Sequence, residues 1–219
     1  MIGAIIKREM TLALRSGGAW LYGVFFFAVF VALCGIALGG SLSVMRPFAP
    51  ALIWLATIFS AMLSFPSLFQ EDFADGNLAQ FKMSGTSLLS LCTAKAISFS
   101  ILSLAPLILA IPFTALIFDM QRDVIIGTIF SVIVAAPAIT VYGLFSAAIL
   151  AGRRGGGFLI VLITTPFLIP LLIFGLGAVD SYATAGLTAV EFRALIGLSL
   201  ISVAVGLPAA SAALNANLE

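Results

Sequence analysis

Long apolar stretches broken by small groups of charges set the pattern of this chain. Marking every charge from Arg15 onward leaves six long uncharged runs, at residues 16–45, 47–70, 96–118, 124–152, 155–179 and 194–218. A bilayer crossing takes about 20 apolar residues in a helix, so each run is long enough to cross once. Backbone groups stay paired in lipid only inside helices or closed barrels. The alternating segments of about ten residues that mark a barrel strand are not seen. The pattern therefore predicts six helices, near 19–40, 49–69, 97–118, 124–151, 158–179 and 194–214.

Residues 2–15 (IGAIIKREMTLALR) follow a different rule. Ile2, Ile5, Ile6, Met10, Ala13 and Leu14 recur at helical spacing, while Lys7, Arg8, Glu9 and Arg15 gather on the other side. This predicts an interfacial helix lying on one leaflet. Continuation into the first span is the alternative reading, and Gly17 and Gly18 argue for a bend between the two. With that charged lead, the first run reads as a retained helix and not a cleaved signal.

Composition sharpens the class. Of 219 residues, 62% are hydrophobic and 9% are charged, against about 25% charged in a soluble domain. The expected fold is all-α integral membrane, a single domain over 1–219. A net charge of +1 provides no basic stripe for nucleic acid. Histidine is absent, and Cys34 and Cys92 are the only cysteines. Zinc sites and Ser-His or Cys-His nucleophile pairs are thereby excluded. No catalytic or metal residue is assigned, and the two cysteines read as small buried apolar groups. Without a P-loop pattern, any ATP chemistry falls to a partner.

Lysine and arginine set the expected orientation. With the N-terminus inside, Lys7, Arg8, Arg15, Lys82, Lys95, Arg153 and Arg154 are cytoplasmic, and Arg46, Arg122 and Arg193 are outside, seven against three. Both termini are then cytoplasmic. All ten basic and nine acidic residues fall outside the six predicted spans. Ion-coupled carriers place ionisable groups at mid-membrane, so energy for any transport is expected from elsewhere.

Proline interrupts the spans at Pro106, Pro112, Pro137, Pro166, Pro170 and Pro208. Each removes a backbone hydrogen bond. These positions read either as bendable joints or as static kinks. Two cytoplasmic segments also stand out. Loop 70–96 sets Glu71, Asp72 and Asp75 among Phe69, Phe73, Leu78, Gln80 and Phe81, with a turn signal at Asp75-Gly76-Asn77. An acidic, aromatic helix-plus-turn element at the membrane face suits docking into a groove on a soluble partner; a solvated loop is the plainer reading. Gly152-Arg153-Arg154-Gly155-Gly156-Gly157 permits a tight reversal between spans four and five, with anionic lipid or phosphate binding as the alternative. Outer loop 180–193 carries Tyr182 and Phe192, which suit interfacial anchoring.

These residues carry a resemblance. Phe48-Ala49-Pro50 with Leu52-Ile53-Trp54-Leu55-Ala56, then Leu68-Phe69-Gln70-Glu71-Asp72-Phe73-Ala74-Asp75-Gly76-Asn77-Leu78-Ala79-Gln80 and Lys95, open the match. Gly152-Arg153-Arg154-Gly155-Gly156, Pro166, Ile169-Pro170-Leu171-Leu172-Ile173-Phe174 and Asp180 continue it. The set resembles the CcmB family, haem exporter protein B of bacterial cytochrome c maturation, over nearly the whole chain. The resemblance implies an ABC-2 exporter-like permease subunit in the bacterial inner membrane. Its coupling element would lie between spans two and three. The implied partners are a CcmA-like ATPase carrying ATP and magnesium, a CcmC-like membrane protein that handles haem, a small CcmD-like single-span protein, and a CcmE-like periplasmic haem chaperone. Haem iron usually takes His, Cys, Met or Tyr, and a chain without histidine is not expected to be its main holder, so no cofactor is assigned to it. The expected task is to couple ATP hydrolysis to release of the haem-loaded chaperone. Direct export of haem or another apolar substrate, and a passive scaffold for complex assembly, are the alternatives.

Overall fold

The computed structural model describes residues 2–16, 19–39, 41–153 and 155–218. The bend expected at Gly17 and Gly18, and Arg154, lie outside the described residues. Twelve α-helices occur among the described residues, which contain no strand. Helix α1 (Ile2–Ser16) carries the amphipathic lead, and the first crossing is α2 (Ala19–Ala37). A short α3 (Leu42–Met45) precedes the second crossing, α4 (Ala49–Ser64). Two small helices follow, α5 (Gln70–Ala74) and α6 (Asn77–Met83). The third crossing is α7 (Leu88–Phe99) continued by α8 (Ala105–Ile117). Helices α9 (Arg122–Ile149) and α10 (Gly157–Ala185) are the fourth and fifth. The sixth is α11 (Val190–Ile201) continued by α12 (Leu207–Asn217). Among the described residues, six helical segments are long and apolar enough to cross a membrane.

Two segments read as loops are largely helical. The 70–96 stretch holds α5, α6 and the first two turns of α7, so Lys95 sits on a helix. The 180–193 stretch is the end of α10, a single 3₁₀ turn at Gly186–Thr188 and the start of α11. A charge marks where lipid ends, not where hydrogen bonding ends, and helices run on past the hydrocarbon.

Helix α9 is the central post, touching α4, α7, α8, α10, α11 and α12. Lipid provides no hydrophobic drive between helices, so close approach at small residues matters most. Trp54, fully buried, lies against Gly175 of α10 and donates its indole N–H to Ser131 Oγ at 3.1 Å. Phe65 covers Gly143 of α9 in the same way. Several interior hydroxyls return to their own helices, as Thr57 to Ile53 O and Thr164 to Ile160 O.

The prolines divide into two kinds. Pro112, Pro137, Pro166 and Pro170 sit inside continuous α-helix. Pro106 and Pro208 instead each follow a five-residue π-helical segment, Ser100–Leu104 and Ser202–Gly206. A proline ring crowds the carbonyl four residues back, here Leu102 and Ala204, and the widened π turn makes room for it. Both segments rest on adjacent residues of α9. Ser100 Oγ lies 3.0 Å from Thr140 Oγ1, and a Cβ on Gly206 would sit 2.4 Å from a Val141 methyl.

Both termini share one end of the bundle. Asn217 Nδ2 donates to the carbonyls of Ala148 and Ile149, closing the C-terminus of α9. Helices α1, α5 and α6 gather at the same end.

Candidate functional site

At this terminal end, α1, α5 and α7 meet through four charged side chains. Arg8 and Glu9 come from α1, Asp72 from α5 and Lys95 from α7. Arg8 Nη1 donates to Glu9 Oε1 at 2.7 Å, and Arg8 Nη2 to Asp72 Oδ1 at 3.0 Å. Lys95 Nζ lies 2.9 Å from Glu9 Oε2 and 2.5 Å from Asp72 Oδ2. Each carboxylate thus joins both cations, and the signs alternate around a closed ring of zero net charge. Asn77 Nδ2 adds a donor to Asp72 Oδ1 at 3.2 Å.

Burial makes this ring costly to open. Lys95 is only 3% exposed, and an ion removed from water without a partner costs several kcal/mol. Burial pushes the Asp72 carboxyl up, but Lys95 and then Arg8 outweigh it and hold the group below the ordinary carboxylate value. Aromatic rings lie over both cations. Lys95 Nζ is 5.5 Å from the centre of Phe69, and the Arg8 guanidinium is 5.4 Å from that of Phe81, within cation–π range.

The residues singled out in loop 70–96 therefore serve two ends. Phe69, Asp72 and Leu78 are buried and hold the element in place. Phe73 and Phe81 are half-buried. Phe73 lies over the turn after α9, where a Cβ on Gly152 would come within 3.0 Å of its ring. Glu71, Asp75 and Gln80 face outward, together with Ala74, Ala79 and Met83. Gly76 has φ of 72°, the left-handed conformation that lets α5 turn directly into α6. In the second turn, Arg153 and Gly155 are exposed and Gly156 is buried beside Gln70.

Arg8, Glu9 and Lys95 escaped the sequence reading as site residues. Lys95 alone offered a signal, being the one charge between residues 83 and 118. Their convergence joins positions 64 and 86 residues apart in sequence, and one-dimensional spacing carries no trace of it.

Comparison with known proteins gives the family. The profile of the family described as CcmB protein matches residues 1–217. The chain belongs to the CcmB family. Among its relatives is heme exporter protein B of Bradyrhizobium diazoefficiens, 33% identical over 219 residues, all of this chain and 99% of that one. Heme exporter protein B of Rhodobacter capsulatus is 30% identical over 216 residues, 99% of each chain. The Escherichia coli K12 protein of the same name is 27% identical over 213 residues, 97% of this chain and 96% of its own. Membership in the CcmB family agrees with the resemblance carried by the 68–80 and 152–174 motifs, and with a multi-pass helical membrane protein.

Proposed function

We propose that this chain is the membrane subunit of an ABC-type haem exporter complex, carrying the stroke of a separate ATPase to the opposite membrane face. The observation that carries this reading is the charge ring. It fastens the outward-facing α5–α6 element to α1 and to the head of the third crossing, so a push on one moves all three. That crossing holds the π segment at Ser100–Leu104, which bears on α9 at Thr140, and α9 in turn packs against α4, α10, α11 and α12. In this reading the terminal end is cytoplasmic, as the seven-to-three distribution of Lys and Arg supports. The membrane is the bacterial inner membrane.

The docking face is Ala74, Asp75, Ala79, Gln80 and Met83, with Met83 87% exposed. An apolar side chain presented so fully beside polar neighbours suits insertion into a groove on the ATPase. ATP and magnesium belong to that CcmA-like partner. Haem is handled by a CcmC-like subunit with its CcmD-like companion, and the stroke ends in release of a haem-loaded CcmE-like chaperone.

Met83→Glu with Gln80→Ala tests the reading. The pair is expected to weaken co-purification of the ATPase in mild detergent about tenfold or more, equivalent to about 1.4 kcal/mol, and to lower cytochrome c assembly in cells. The folded yield of the chain should hold, since both side chains are exposed. Unchanged ATPase recovery and unchanged assembly would refute the docking face.

A further inference from the structure

Beside the ring, a cleft of about 280 Å³ opens between α1, α5 and α7. Its mouth is acidic. The four ring charges cancel one another, while Glu71 and Asp75 on the rim make no ion pair among the described residues. Deeper in, Ser98 lines the cleft at 3% exposure, and its buried Oγ has no hydrogen-bond partner. A buried hydroxyl without a partner is destabilising, so such a group points to something that satisfies it. Leu12, Trp20, Phe99 and Leu102 give the cleft an apolar stretch of wall, beside the polar Ser67, Asn77 and Ser103.

Depth in the membrane fits a ligand of mixed character. Counting about 20 residues back from Ile117, the end of α8, places Ser98 at the edge of the hydrocarbon. The acids then lie at headgroup level and Leu102 at the level of the first chain carbons. Trp20, whose indole N–H donates to Ala13 O at 3.2 Å, marks the same level.

We infer that the cleft binds the headgroup of an aminophospholipid of the phosphatidylethanolamine class. The primary ammonium donates N–H groups to the Glu71 and Asp75 carboxylates at the mouth, and the unpartnered Ser98 hydroxyl, deeper in, donates to a glycerol ester carbonyl. The phosphate faces Arg8, whose side chain is 32% exposed and spends only two of its five donors in the ring. The acyl chains follow Leu12, Trp20 and Leu102. A lysine or arginine from a protein partner would satisfy the acids but leave that apolar wall uncovered, so a lipid is the better fit. The site shares Asp75 with the proposed docking face, but retention of lipid by the chain alone does not depend on ATPase coupling.

Native mass spectrometry of the full chain, released from detergent micelles doped with equal dioleoyl-phosphatidylethanolamine and dioleoyl-phosphatidylcholine, tests it. One phosphatidylethanolamine should be retained with about tenfold preference, since quaternary nitrogen has no N–H to give. With the wild-type protein, mono- and dimethylated headgroups should lose the preference stepwise, a series that no folding defect can mimic. E71Q with D75N should bring the two lipids close to equal retention, whereas S98V should weaken retention of both. Equal retention of the two lipids by the wild-type chain, or a preference untouched by E71Q with D75N, would overturn the assignment.

Discussion

Lys95→Met is expected to destabilise the chain by about 3–5 kcal/mol and to release α1 from α7. Methionine matches the length of the lysine stem, so little packing is lost. What disappears is one of the two cations that separate Glu9 from Asp72. Arg8 alone then faces both carboxylates, leaving an uncompensated negative charge where Asp72 is 8% exposed. Thermal unfolding in detergent reads the loss. Hydrogen exchange of the amides in residues 2–16 reads the release of α1. The double variant Lys95→Met with Asp72→Leu leaves Arg8 and Glu9 as a neutral pair, and should recover most of the stability. A double variant as unstable as the sum of its parts would show that the ring charges are not coupled.

This ring also marks where the sequence stops being readable. One of its two acidic members is legible, because Asp72 sits in an acidic and aromatic run with a turn after it; Glu9, on α1, is not. Its basic members were set aside as orientation signals, since charges serve to delimit spans. That use of charge is sound for hydrocarbon but not for helices, and it hid the fact that α7 begins at Leu88 and carries Lys95 inward. The six crossings were legible because each needs a long uncharged run, and lipid enforces that requirement on every residue. The amphipathic α1 was legible from its periodicity. Its docking was not, since the polar face that suits a lipid surface suits a buried partner equally well.

The prolines show the same limit. Six interruptions were evident, yet the sequence alone does not divide them into four accommodated within α-helix and two preceded by π segments. The division depends on neighbours. Both π segments lie against Thr140 and Val141 of α9. Spans three and six thereby meet the central post with the same local irregularity, from two sides. This places the least regular backbone of both crossings where a movement arriving from the charge ring would reach α9.

Gly175→Leu is expected to be the most damaging single change in the membrane interior. A Cβ at this position would lie 2.2 Å from Trp54 Cζ2 and 2.6 Å from two further atoms of the ring. The indole has nowhere to retreat, being fully buried and held to Ser131 at 3.1 Å. Overpacking costs about 1–3 kcal/mol, and breaking the indole hydrogen bond adds about 1–3 kcal/mol for the donor left unpaired in an apolar interior. Trp54→Ala alone is expected to cost about 3–5 kcal/mol through the cavity it opens. Combining the two changes the sign of their interaction, because the new leucine enters the space that the indole vacates. The double variant should therefore be more stable than the sum of the singles by about 1–3 kcal/mol, measured from unfolding midpoints in one detergent. Strict additivity would mean that α4 and α10 do not meet through this pair, and that the second and fifth crossings are held together elsewhere.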